Sequence, residues 1–189
     1  MSLFDLIDAG DEEVLREQLE RRPELAGERT PEGLSPVLHA LYTGRSDLVD
    51  PILDANPPLD VFDTSAVGRT RGLEELLAAE PGLARTWSND GFTALHLAAY
   101  FGQEEAARML VERGADPNAV ARHPTIVVTP LHSAAAGAHT GIVKLLLDAG
   151  ADPNARQPDG FTALDAAREN QDRESEEALL AAGATPPPV

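Results

Sequence analysis

Small apolar residues recur at helical spacing between Asp90 and Asn118 and predict two short helices joined by a tight turn. Charged residues separate the apolar positions of the second segment, as expected for a helix with one face in water. The apolar face of this second helix consists of Ala106, Ala107, Leu110 and Val111. Two helices of this length cannot bury a core by themselves, so the unit needs neighbours of the same kind.

The ends of both helices carry residues that favour helix termini. Thr93 is the predicted N-cap of the first helix, because its hydroxyl can accept from free N–H groups of the first turn. His96, three residues later, can reach back to the backbone of Thr93 as the second member of a capping box does. Gly102 and Gly114 follow the two helices, where a left-handed backbone ends a helix. The stretch is therefore predicted as cap, helix, turn, helix and turn.

This pattern occurs three times along the chain, each time with a threonine cap, a polar residue three positions later and a closing glycine. The copies are Thr93, His96 and Gly114; Thr129, His132 and Gly150; and Thr162, Asp165 and Gly183. Thr129 and Thr162 are 33 residues apart, and this period, with T-P-L-H at the head of the unit, resembles the ankyrin repeat. The resemblance implies an all-α solenoid of helix-turn-helix repeats with short β-hairpin fingers.

The first half of the chain is a less regular copy of the same pattern. Residues 1–58 align with residues 59–116 at an offset of 58, which pairs Phe4 with Phe62 and Tyr42 with Tyr100. We therefore predict a single array of about six repeats over residues 1–185. The approximate repeats are 2–31, 32–58, 59–89, 90–126, 127–158 and 159–185, followed by a proline-rich tail at 186–189.

Three positions depart from the regular repeat. Pro51 falls in the second helix of repeat 2 and predicts a short or kinked helix, and the connection that follows lacks a finger. Repeat 3 lacks the threonine motif, with Leu59 where the threonine is expected. The finger after repeat 4 is three residues longer than the pattern, with the insertion within 119–128. We expect residues 126–128 to form an added β-ladder; the alternative is an exposed apolar tip.

Charge and composition narrow the choice of partner. The net charge is −17, from 32 acidic and 15 basic residues, and such a field repels nucleic acid. The acidity serves solubility in the first place; the alternative is that it attracts a basic protein surface or peptide. The acidic start has no secretory pattern and no apolar run is long enough to span a membrane, so we expect no membrane partner. Cysteine is absent, which fits a reducing compartment. We expect a cytoplasmic protein.

The sequence offers no constellation for catalysis or for metal binding. His96 and His132 occupy the same position in successive repeats, which indicates capping and hydrogen bonding between repeats. His39, His123 and His139 share no ligand spacing. No nucleophile elbow and no glycine-rich phosphate loop occurs. We expect no enzyme activity, no cofactor and no metal.

In the family that the chain resembles, partners bind along the fingers and the exposed side of the first helix of each repeat. Transferred to this chain, the predicted partner-binding residues are Tyr42, Trp87, Leu97, Tyr100, Phe101, Ser133 and Glu169. Only 4% of the residues are aromatic, yet Tyr100 and Phe101 are adjacent, and Trp87 is expected to lean over them. Aromatic side chains are enriched among residues that dominate binding energy.

Two functions stay open at this point. The first is a non-enzymatic interaction module that presents a concave groove to a protein or peptide. The second is a regulatory or inhibitory subunit that masks a basic surface of an enzyme or toxin. We expect a monomer in either case.

Overall fold

The computed structural model describes residues 2–186, and in that part of the chain it is helical without a β-sheet. The chain divides into two compact units, Met1–Asp63 and Thr64–Val189. The single array over residues 1–185 stays a prediction. All of the predicted tail except Pro186 lies outside the described residues.

Each predicted repeat contains two short α-helices, so residues 2–186 hold twelve. They are α1 Leu3–Ala9, α2 Glu12–Arg21, α3 Pro36–Tyr42, α4 Val49–Asp54, α5 Val61–Ala66, α6 Thr70–Ala79, α7 Ala94–Tyr100, α8 Glu104–Glu112, α9 Pro130–Ala136, α10 Thr140–Asp148, α11 Ala163–Glu169 and α12 Arg173–Ala181. This arrangement confirms the predicted all-α solenoid class.

A capping box begins the first helix of four repeats. In α7, the Thr93 hydroxyl accepts the His96 N–H at 3.3 Å, and His96 Nδ1 accepts the Thr93 N–H at 3.3 Å. Boxes of this kind also join Ser2 to Asp5, Thr129 to His132, and Thr162 to Asp165. They give partners to N–H groups that have none inside the helix, and so fix where these seven-residue helices begin.

Repeat 3 begins with a cap of similar design that is built from two aspartates. Asp60 Oδ1 accepts the N–H groups of Phe62 at 2.8 Å and Asp63 at 2.9 Å. Asp63 Oδ2 accepts the Asp60 N–H at 3.2 Å in return. The alignment that placed Leu59 at the cap is therefore wrong by one residue. A motif that allowed aspartate at both positions would have found this box, because carboxylates cap helices as well as hydroxyls do.

An ion pair with a buried aspartate lies beside the missing finger within the Met1–Asp63 unit. Pro51 stands in the first turn of α4, which has only six residues and is short as predicted. Asp63 is fully buried and accepts hydrogen bonds from the Ser35 hydroxyl and from Arg29 at 2.9 Å. Burial and the nearby Asp60 raise the pKa of Asp63, whereas Ser35 and Arg29 oppose that rise. The network joins the starts of α3 and α5, since Ser35 is the N-cap of α3.

Leucine and alanine fill the core of the Thr64–Val189 unit. Helix α8 packs against α6, α7 and α10, and α9 packs against α7, α10 and α11. Leu110 of α8 and Leu146 of α10 are completely buried, as the register of the repeats predicts. Ala98 and Ala99 of α7 are also completely buried, and their small side chains let the neighbouring helices approach closely.

Tight turns form the fingers. Isolated antiparallel bridges join Trp87 to Thr93 and Arg156 to Thr162, in place of longer strands. Gly91 at the first turn has φ of +89°, and a Cβ there would lie 2.5 Å from the backbone of Arg122 in the next finger. Glycine is therefore required both by the left-handed backbone and by the close approach of two fingers.

Candidate protein-binding surface

Tyr100 places an exposed aromatic ring at the end of α7. It is 51% exposed, and its ring meets that of Phe101 edge to face with centroids 5.1 Å apart. Phe101 is half-buried. Edge-to-face contacts of this kind stabilise a ring pair beyond the area they bury. Phe101 thus supports Tyr100 while about half of the Tyr100 side chain stays accessible.

The ends of three first helices are fixed side by side in this unit. The last carbonyl groups of α5, α7 and α9 each accept a hydrogen bond from a side chain in the following repeat. The bonds run from Gln103 Nε2 to Ala66 O at 3.2 Å, from His139 Nε2 to Tyr100 O at 3.0 Å, and from Asn170 Nδ2 to Ala136 O at 3.0 Å. Tyr100 therefore occupies a position that is alanine in the repeats on either side.

Trp87 contacts the next finger. The guanidinium carbon of Arg122 lies 3.5 Å from the centroid of the Trp87 ring, which is a cation–π contact. Trp87 Nε1 donates to the carbonyl oxygen of Val120 at 3.4 Å. Arg122 thus covers one face of the Trp87 ring, and the expectation that Trp87 leans over Tyr100 and Phe101 stays a prediction.

The long finger folds back on itself and on the finger before it. His123 stacks on Phe92 with ring centroids 5.6 Å apart, and its Nδ1 accepts the N–H groups of Thr125 and Ile126 at 3.2 Å each. Residues 119–129 contain no β-ladder, so the ladder predicted at 126–128 is wrong. The exposed-tip alternative describes this finger, since Ile126 is 45% exposed.

The other predicted binding residues differ in accessibility. Leu97 and Ser133 are buried, so a partner can reach little of either side chain. Glu169 is exposed at the last position of α11. Tyr42 is exposed at the end of α3, in the Met1–Asp63 unit. Within the Thr64–Val189 unit, the accessible members of the predicted set are Trp87, Tyr100, Phe101 and Glu169.

His96 and His132 link their helix caps to the following finger. His96 is buried, and its Nε2 lies 3.0 Å from the carbonyl oxygen of Val128. Because Nδ1 accepts the cap N–H, we assign the proton to Nε2, which then donates to Val128. Burial lowers the pKa of His96 to about 4, although the hydrogen bond to Val128 opposes that change. His132 bonds Phe161 O at 3.4 Å, and burial lowers its pKa as well.

Three residues of this surface escaped the sequence prediction: Val120, Arg122 and His123. Val120 is 50% exposed, and Arg122 is exposed and forms no ion pair within residues 2–186. The insertion within 119–128 is the sequence feature that could have pointed to all three residues. In the same described part of the chain, no group of three or more histidine, aspartate or glutamate side chains could hold a metal ion.

Two family models match the second half of the chain. A model described as ankyrin repeats (many copies) matches residues 95–147, and one described as ankyrin repeats (3 copies) matches residues 125–187. These matches include helices α7 to α12, the part of the chain in which the capped helix pairs are most regular.

Two curated rice proteins (Oryza sativa subsp. japonica) are similar over part of the chain. E3 ubiquitin-protein ligase XB3 is 43% identical over 65 residues, which is 34% of this chain and 14% of that protein. Probable E3 ubiquitin-protein ligase XBOS31 is 41% identical over 64 residues, again 14% of that protein. The chain thus spans a small part of the length of these relatives. No helix within residues 2–186 has the length and apolar character needed to cross a membrane.

Proposed function

The chain is an ankyrin-repeat protein, and on that premise we propose that it binds an extended protein segment along the fingers and first helices of the Thr64–Val189 unit. Ankyrin repeats are protein–protein interaction modules, and repeat arrays use the surfaces that their stacked units create. The observation that supports this site most directly is Tyr100, whose ring is half exposed although its neighbour Phe101 fixes it in place.

The surface around Tyr100 is suited to binding because it is rigid before a partner arrives. The carbonyl of Tyr100 is held by His139, and the neighbouring helix ends are held by Gln103 and Asn170. Ala66 and Ala136 at the matching positions leave room on both sides of the ring. A partner would therefore meet a fixed aromatic side chain, and little ordering entropy would be lost on binding.

A second candidate is a subunit that masks a basic surface, and the distribution of charge favours it for the other unit. Residues 1–63 contain 15 of the 32 acidic residues but only 5 of the 15 basic residues. Such a concentration attracts cationic surfaces, and the attraction weakens as salt rises. Binding that is lost at high salt and unaffected by changes at Tyr100 would favour this candidate.

The proposal predicts that removing an aromatic ring of this surface weakens binding far more than it weakens folding. Partners captured from lysate on the immobilised chain are identified by mass spectrometry and prepared in pure form. We then expect Tyr100→Ala or Trp87→Ala to weaken the affinity of such a partner by roughly 2 kcal/mol or more, measured by calorimetry.

The matched control is Leu180→Ala. Leu180 is 40% exposed on α12, the second helix of its repeat, and so offers a similar apolar surface outside the proposed site. We expect it to leave the affinity unchanged. If Tyr100→Ala and Trp87→Ala both bind like the wild type, the proposal fails, and the acidic faces of the second helices become the next surface to test.

A further inference from the structure

Acidic residues are absent from one long stretch of this strongly acidic chain. Between Asp116 and Asp148 lie 31 residues without a single aspartate or glutamate, whereas the next longest such stretch is 14 residues, at 33–46. A stretch of 13 residues, 91–103, precedes it in the same unit. Together these two stretches contain α7, α9 and the long finger.

The acid-free surface, defined as α7, α9 and the finger 119–128, is one part of the proposed binding site. Both helices of repeat 4 are described, and their carboxylates all lie on the second helix, at Glu104, Glu105 and Glu112, while Asp90 and Asp116 lie in the turns of the repeat. Other first helices of the array do carry acidic residues, such as Asp165 and Glu169 in α11. The lack of negative charge is therefore a property of this surface rather than of first helices in general.

The exposed cation on this surface is Arg122. Its guanidinium lies over Trp87, and no carboxylate pairs with it within residues 2–186. Nearby turns carry Asp90, Asp116 and Asp159, and each of these accepts a local hydrogen bond. The bonds come from the Ser88 hydroxyl to Asp90, from Asn118 N–H to Asp116 at 2.9 Å, and from Phe161 N–H to Asp159 at 3.0 Å.

Arginine elsewhere in the protein is commonly paired with a carboxylate. Several second-helix arginines pair within one helix, as Arg108 does with Glu104 at 2.8 Å and Arg71 with Glu75 at 3.0 Å. Arg122 instead keeps its hydrogen-bond donors available while the Trp87 ring holds its position. A guanidinium presents a planar pair of donors that matches a carboxylate.

We propose that the acid-free surface recognises an extended segment in which an acidic residue lies beside a bulky apolar residue. The carboxylate binds Arg122, and the apolar side chain packs on the exposed finger residues Val120 and Ile126. This inference rests on the proposed function and names the chemical class of its partner. The site would then prefer acidic segments, whereas the net charge of −17 favours basic partners.

A selection of random linear peptides displayed on phage tests this preference. The full chain is immobilised at near-physiological salt, and enriched peptides are synthesised and their affinities measured. We expect enriched sequences to contain aspartate or glutamate next to leucine, isoleucine, phenylalanine or tryptophan. Enrichment of lysine- and arginine-rich peptides at the same site would overturn the inference.

Charge reversal provides the matched comparison. We expect Arg122→Glu to lower the affinity of the chain for the acidic peptides by at least about tenfold, because two like charges would then face each other. Arg113→Glu makes the same charge change at an exposed residue at the end of α8, outside the site, and should change affinity less than about twofold, as rim charges contribute little. Far-ultraviolet circular dichroism melts check that both variants fold.

The failure of this inference and the failure of the proposed function give different results. Basic peptides whose binding is lost in Tyr100→Ala would leave the binding surface intact and contradict only the acidic preference. Acidic peptides that bind Arg122→Glu as tightly as the wild type would also contradict only the assignment of Arg122 as the carboxylate-binding residue. Peptides that bind Tyr100→Ala and Trp87→Ala as tightly as the wild type, or a selection that enriches nothing, would contradict both.

Discussion

Replacing Leu110 by alanine should lower the free energy of unfolding of the Thr64–Val189 unit by about 2–5 kcal/mol. Leu110 is completely buried in α8, and that helix packs against α6, α7 and α10. Truncation removes apolar contacts and leaves a cavity that four packed helices cannot close completely. Leu146→Ala in α10 should have an effect of the same size for the same reason.

Denaturant melts followed by tryptophan fluorescence measure this loss in the relevant unit, because Trp87 is the single tryptophan of the chain. Leu180→Ala is the matched control, since it makes the same chemical change at a side chain that is 40% exposed. We expect it to cost less than about 1 kcal/mol. A loss below about 1 kcal/mol for Leu110→Ala would contradict the assigned register, since truncating a buried leucine lowers the free energy of unfolding by more than that.

Acidification should destabilise the same unit above the pH range in which ordinary carboxylates titrate. His96 is neutral in the folded protein because burial lowers its pKa from 6.5 to about 4. In the unfolded chain its pKa returns to 6.5, so between pH 6.5 and 4 the unfolded state binds a proton that the folded state does not. Stability therefore falls as pH falls through this window, by about 3 kcal/mol in total from His96. His132 adds to the loss in the same direction.

His96→Gln provides the control for this prediction. Glutamine does not titrate, yet its amide can accept the Thr93 N–H as in other capping boxes, and it can donate to the Val128 carbonyl. The variant should show a shallower loss of stability between pH 6.5 and 4, measured by the fluorescence of Trp87 in denaturant. An equal loss in variant and wild type would show that His96 is not the group responsible.

Much of the fold was predictable because its signals are local. The caps Thr93 and Thr162, the closing glycines and the spacing of apolar residues each act within one or two helical turns. The predicted helix pairs were therefore found where the sequence put them. The exception was the cap of α5, where Asp60 and Asp63 serve as cap and partner without the usual threonine and histidine.

The details of the candidate site depend on contacts between repeats, which local signals do not determine. Leu97 lies three residues before Tyr100 and so shares its side of the helix, which made both seem accessible. Helix α9 packs against α7, and Leu97 is buried while Tyr100 at the helix end is not. The contact of Arg122 with Trp87 likewise depends on how a three-residue insertion folds back over the preceding finger.

Hydrogen exchange with and without a bound partner tests the central claim most directly, namely that partners bind on the fingers and first helices of the Thr64–Val189 unit. The partner is a protein captured from lysate or a peptide selected on the chain. The account predicts slower exchange at the end of α7, in the finger 119–128 and at the end of α9, with α8, α10 and α12 unchanged. Protection confined to those second helices, or to the Met1–Asp63 unit, would contradict it.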